Sequence, residues 1–188
     1  MRLRLFFALW PEDPVRDALG EAAQPLLEAC RGRRVARCNY HLTLAFLGGV
    51  AAGRLDELRA AAASVSAEAF DLAMDCHGHW PAPRVAWLGC RRPPPAADGL
   101  ARSLWAALEP LGFRPDPRPF RPHLTVLRGC RSCDWAGPVA PVAWPVRDFV
   151  LVSSDTLPEG PQYRVLDRWP LGLLAAAERP DDRGPGPS

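Results

Sequence analysis

Apolar and polar positions switch between two periods along the chain, and the switches predict its elements. Leu3 to Trp10 is an almost unbroken apolar and aromatic run bounded by Pro11, which predicts a buried strand. Val15, Leu19, Ala22, Leu26 and Leu27 then recur at helical spacing. Pro14 falls near the first turn of that helix, and Glu12 and Asp13 lie at the positive end of its dipole. A basic loop, Arg31-Gly32-Arg33-Arg34, leads to the short strand His41–Leu47, closed by Gly48-Gly49, and a second helix is expected over about 53–69. Phe70–Trp80 and Val85–Gly89 read as two strands joined around Pro81 and Pro83. After the break at Arg92-Pro93-Pro94-Pro95, Leu100, Leu104, Ala107, Leu108 and Leu111 carry a third helix, ended by Gly112. His123–Arg128 is again a short strand closed by glycine, and 149–152 and 163–166 supply the last strands.

The two histidine-bearing strands each follow a helix, so the halves of the chain look alike. This order predicts an α+β fold built by duplication: two lobes related by an approximate two-fold, each an antiparallel sheet with outer helices, and a cleft between them. Residues 1–175 are expected to form this single unit. The stretch 176–188, rich in Pro, Gly and charge, is expected to be a disordered tail.

Composition changes this picture little. The chain has 188 residues, 48% apolar and 23% charged, enough for a proper core. All 23 basic residues are Arg, Ile is absent, and Asn occurs only at position 39. Arginine-only usage fits phosphate recognition, yet together with abundant Ala, Pro and Gly it is also what a GC-rich genome writes. The net charge of +2 predicts no broad non-specific nucleic-acid binding, which needs many phosphate contacts. The apolar start stops at Pro11, too short for a signal peptide, and no stretch approaches the roughly 20 residues of a membrane helix, so a cytoplasmic protein without a membrane partner is expected. On that basis the six cysteines are expected to be thiols.

The candidate chemistry lies in a coincidence. The chain holds four His and three Thr, and two of those Thr, Thr43 and Thr125, follow His41 and His123 by two residues. In a strand, residues i and i+2 share a face, so each His projects with its Thr while Leu42, Leu44, Leu124 and Val126 anchor the other face. Two such strands facing one another would present two imidazoles, one acid and one base at neutral pH, and two hydroxyls able to hold an anionic phosphate. That is a phosphodiesterase design needing no metal or other cofactor.

The extended motifs are His-x-Thr-x-x-Phe, with His41, Thr43 and Phe46, and His-x-Thr-x-x-Arg, with His123, Thr125 and Arg128. Together with LFFALWPE near the start, VAWLG at 85–89, RPFRPHLTVLR at 118–128 and YRVLDRW at 163–169, they make the chain resemble the two-histidine (2H) phosphoesterases. Within that superfamily it is similar to the bacterial RNA 2′,3′-cyclic phosphodiesterases of the ThpR/LigT family, historically called 2′-5′ RNA ligases. The likeness fades at 30–38, at 129–145 and in the tail. It implies a LigT-like fold and hydrolysis of RNA 2′,3′-cyclic phosphate ends to 2′-phosphate ends. His41 would be the proton donor to the O3′ leaving group and His123 the proton acceptor from water. Thr43, Thr125 and Arg128 would bind the phosphate, and Phe46 would stack on the terminal nucleobase. Strict alternation sends Phe46 and Arg128 to the core face, so both strands must end or bulge first, which Gly48 and Gly129 allow. The implied partner is an RNA 3′ end, such as a tRNA fragment, and the protein is expected to be a monomer.

Other readings stay open at this point. A linear 2′,5′-oligonucleotide phosphodiesterase or reversible 2′-5′ RNA ligase would use the same site, and a non-catalytic RNA-binding module would use the same fold. Cys130-x-x-Cys133 could be half of a zinc site, with Cys76, His77, His79 or Cys90, or a redox pair, although the second close-spaced ligand pair is missing. Trp80, Trp87, Trp105 and Trp169 are expected in the core or between the lobes. Arg31, Arg33, Arg34 and Arg37 read as a solvated basic loop that could also guide RNA.

Overall fold

Each half of the chain runs strand, helix, histidine strand. The computed structural model describes residues 1–157 and 160–172, so the expected tail lies outside the described residues. The elements are β1 (Arg2–Leu9), α1 (Asp13–Ala29), β2 (Arg33–Arg34), β3 (Leu42–Ala51), α2 (Leu55–Ala63), β4 (Phe70–Met74), β5 (Cys76–Trp80), β6 (Val85–Gly89), α3 (Pro95–Leu108), β7 (His123–Arg128), β8 (Val142–Val146), β9 (Asp148–Leu157) and β10 (Gly160–Pro170).

The strand order β10-β9-β1-β3-β7-β6-β5 is antiparallel throughout, with β2 added on β7. β3 and β7 meet at a single pair, Leu42 opposite Leu124, so two antiparallel half-sheets join there. The pair lies on a local two-fold: antiparallel geometry brings His41 alongside Thr125 and Thr43 alongside His123. Both leucines are fully buried, each a gain of roughly 1.5–3 kcal/mol that anchors the junction. The helices cross over, with α1 packing against β8 and β7 and α3 against β3 and α2. Leu5, Phe7, Leu9, Leu42, Leu44, Leu124 and Val126 join the main core under the helices. The opposite face of β1 and β9 carries a smaller cluster of Phe6, Ala8, Val150 and Val152, overlaid by Trp10, Tyr163 and Val165. The expected α+β duplication is therefore present.

Several local expectations differ: Arg33–Arg34 of the expected basic loop forms β2, and β3 runs through Gly48-Gly49 to Ala51. The second helix ends at Ala63, where Ser64 turns its hydroxyl back onto the Ala61 carbonyl and competes with the helix ladder. The apolar stretch 70–80 splits at Asp75: β4 buries Phe70, Leu72 and Met74 in a separate two-stranded sheet with β8, while β5 pairs with β6. β8 carries no strand signal of its own because Pro145 lies within it, and Ala143 and Pro145 both lie on its exposed side.

The cysteine expectation fails at two positions. Cys30, at the end of α1, is bonded to Cys133 across 103 residues, which leaves Cys38, Cys76, Cys90 and Cys130 as thiols. The partner of Cys133 is thus not Cys130, and local spacing could not reveal it. The bond requires the end of α1 and the segment after β7 to be neighbours, which the pairing of β2 with β7 provides.

Candidate functional site

The two histidines are held in the same way. His41 Nδ1 lies 2.7 Å from the Asn39 carbonyl oxygen and His123 Nδ1 lies 2.8 Å from that of Arg121, in each case two residues back. A carbonyl only accepts, so each Nδ1 carries the hydrogen and each Nε2 is left as the free nitrogen of a neutral ring. Such a pair can supply a base directly, and an acid once protonated.

Irregular register brings the third motif residue to the histidine face. In β3, Phe7 pairs with Ala45 and Ala8 with Thr43, leaving Leu44 as an extra residue. In β7, Ala86 pairs with Leu127 and Trp87 with Thr125, leaving Val126 extra. Each bulge follows the motif threonine and makes two consecutive residues buried, Leu44-Ala45 and Val126-Leu127. Phe46 and Arg128 consequently emerge beside Thr43 and Thr125. Gly48 and Gly129, with φ of 70° and 69°, then redirect both strands in the left-handed region.

His41, Thr43, Phe46 and Arg128 line one pocket of about 210 Å³, together with Arg4, Phe6, Ser154 and Tyr163. His123 and Thr125 adjoin it across the Leu42–Leu124 pair rather than forming its wall. Phe46 is 50% exposed, unusual for a large apolar side chain in a strand, and the Arg4 guanidinium lies 4.7 Å over its ring. Arg4 covers one face of Phe46 and leaves the other for a planar ligand.

Aromatic rings that the sequence did not mark out enclose both histidines. Trp10 stacks on His41 at 5.7 Å, while Phe6 and Tyr163 approach it at 4.9 and 5.1 Å. Trp80 meets His123 edge-on at 4.5 Å, and Trp87 lies at 6.5 Å. Trp80 and Trp87, expected in the core or between the lobes, are half-buried on the cleft side beside His123. The available signal was alternation: with Ala86 and Leu88 buried, Trp87 had to face the other way, and its pairing with Thr125 puts it on the histidine face. Trp105 and Trp169 do pack against the main core.

Burial pushes the His41 imidazole down to about 4, against the opposing hydrogen bond to Asn39, with the charges of Arg128 and His123 lowering it further. Burial also lowers His123, again with Arg128 contributing. The protein's own surroundings thus disfavour positive charge on both rings, and a bound anion would reverse that. His77 and His79 bond the Gly137 and Cys130 carbonyls, and among the described residues no three His, Cys, Asp or Glu side chains converge as a metal site. Among them, too, no helix is long and apolar enough to cross a membrane.

Known proteins resemble this chain in sequence and in fold. The family model for LigT-like phosphoesterases matches residues 9–87. The chain is 34% identical over 169 residues to the RNA 2′,3′-cyclic phosphodiesterase of Escherichia coli strain K12, covering 89% of this chain and 96% of that protein. It is also 34% identical over 200 residues to the enzyme of the same name from Thermus thermophilus, covering 98% and 97%. The crystal structure of E. coli LigT complexed with 3′-AMP superimposes with a TM-score of 0.84 at 34% identity, covering 91% of this chain and 99% of that one. With two bulged histidine strands meeting at one leucine pair, and likeness over nearly the whole length, the chain belongs to the LigT-like phosphoesterase family.

Proposed function

We propose that the protein hydrolyses RNA 2′,3′-cyclic phosphate ends to 2′-phosphate ends without a metal or other cofactor. The observation that carries this reading is the matched pair of imidazoles, each held through Nδ1 by a carbonyl two residues back and flanking the same Leu42–Leu124 junction. His123 takes a proton from water as its oxygen attacks phosphorus, and the P–O3′ bond breaks while O3′ takes a proton from the His41 imidazolium. The product is a 2′-phosphate with a free 3′-hydroxyl, and proton exchange with solvent restores both rings. Thr43, Thr125 and Arg128 donate to the phosphate oxygens, and Phe46 stacks on the terminal base opposite Arg4. The relatives, RNA 2′,3′-cyclic phosphodiesterases, support the same substrate class. A monomer acting on broken RNA ends, tRNA fragments among them, is the expected working form.

The test is an RNA oligomer with a 2′,3′-cyclic end, incubated with the purified protein in EDTA and analysed for product. Turnover to the 2′-phosphate is expected. A 3′-phosphate product, loss of activity on chelation, or cleavage confined to linear 2′,5′ linkages would replace this reading.

A second prediction follows from the lowered imidazoles. The profile of kcat/KM reports the free site, where protonation of the base closes the acid side and deprotonation of the acid closes the alkaline side. With both groups held below the ordinary 6.5, the bell is expected to peak below pH 6.5. Bound phosphodiester adds a negative charge beside both rings and raises them, so kcat is expected to peak at higher pH than kcat/KM. Steady-state kinetics from pH 4 to 9 measure both, and coincident optima would contradict the argument.

A further inference from the structure

Arg33 in β2 stands directly opposite Arg128 in β7. Cross-strand partners project from the same face with roughly 5 Å between Cβ atoms, where like charges repel. Since Arg128 lines the pocket, Arg33 stands on the pocket side of the sheet. Nine other arginines pair with a carboxylate, yet among the described residues neither of these two does.

The juxtaposition is also tethered. The Cys30–Cys133 disulfide closes the segment on one side. The Val35 N–H donates to the Val126 carbonyl at 2.9 Å, and Asn39 Nδ2 donates to the Pro161 carbonyl at 2.8 Å. A Cβ at Gly32 would lie 3.0 Å from the Arg128 carbonyl oxygen, so the close approach of β2 to β7 depends on glycine there. Arg33 Nη1 lies 3.6 Å from where a Cβ on Gly160 would stand, at the start of β10, the strand that carries Tyr163 of the pocket wall. Arg33 therefore sits on the rim, held beside a like charge by backbone and disulfide.

We propose that Arg33 forms, next to Arg128, a second anion site that holds the phosphodiester immediately 5′ of the terminal nucleotide, so that the protein takes an RNA strand in preference to a free cyclic mononucleotide. This rests on the function proposed above for the identity of the strand. A mononucleotide brings one phosphate, which Arg128 and the two threonines take. An RNA end brings a second phosphate one nucleotide along, and its charge relieves the repulsion between the two guanidinium groups. Arg4 is not this cation, because its guanidinium is engaged on the Phe46 ring.

The test compares kcat/KM for a trinucleotide with a 2′,3′-cyclic end and for the corresponding cyclic mononucleotide. Arg33→Gln is expected to lower the trinucleotide value about 10-fold, the scale of one charge-assisted hydrogen bond, and to leave the mononucleotide within about 2-fold. It should also flatten the salt dependence for the trinucleotide by about 0.7 in log–log slope, the contribution of one single-strand phosphate contact. Arg34→Gln removes the same charge from a neighbour that reaches back to the Leu27 carbonyl, and it should do neither. Replacing the phosphate 5′ of the terminal nucleotide by a neutral methylphosphonate should cost as much as Arg33→Gln, with no further loss when the two are combined. Equal losses on both substrates, or none on either, overturn the proposal. Titration of a trinucleotide and a mononucleotide that both end in 2′-phosphate reads the same site without turnover. If the wild-type protein cleaves no cyclic end but Arg33→Gln selectively weakens the trinucleotide, the function fails and the anion site stands; equal binding by both proteins removes the anion site.

Discussion

Replacing His41 or His123 by alanine is expected to lower kcat on a cyclic RNA end by about 10²–10⁴-fold each, the range for a positioned general acid or base. Both rings are half-buried on the cleft face, whereas the strands carrying them are anchored from the other face by Leu42 and Leu124. Circular dichroism and melting temperature should therefore stay close to wild type. In the proposed mechanism the two groups act in one concerted step, so the double variant should be little worse than either single one. The roles separate on a phosphodiester whose leaving group is 4-nitrophenolate, which departs without a proton: His41→Ala should recover most of its loss there and His123→Ala should not. Equal recovery by both variants would remove the assignment of acid and base, and retained activity in either would remove that residue from the mechanism.

Arg128→Ala is expected to cost about 10²–10³-fold in kcat, the scale of losing one preorganised donor to a transition-state oxyanion. Arg128→Lys should fall between, since an ammonium keeps the charge but not the planar fork. A purely structural role would not alter the titration of the neighbouring histidines, but this role must. The Arg128 guanidinium helps hold both His41 and His123 below the ordinary imidazole value, so its removal should move both titrations upward. Following the ring Cε1 protons by NMR in the empty protein measures that directly. An unchanged titration together with full activity would take Arg128 out of the site.

Much of the candidate site was legible because its first rule is local. Alternation in two short apolar strands is enough to put His41 with Thr43 and His123 with Thr125, opposite leucines that the core buries. The repeat of strand, helix and histidine strand likewise exposed the duplication. Phe46 and Arg128 were legible only through family likeness, since alternation alone sends them to the core. The split at Asp75 was hidden because β4 leaves its chain neighbour β5 to pair with β8, about 70 residues on, while β5 pairs with β6.

The sequence by itself determined which residue types stand on each short strand and which way the first of them point, because side-chain direction in a strand depends on the next residue and no further. Only the tertiary structure decided the rest. The bulges at Leu44 and Val126 arise where each strand is matched against its partner. The single Leu42–Leu124 pair sets how the two half-sites meet, and the docking of β2 on β7 brings Cys30 to Cys133 and Arg33 to Arg128. These are contacts between residues about 40 to 100 positions apart, and register between distant strands is set by the packing of the whole sheet, which no local pattern contains.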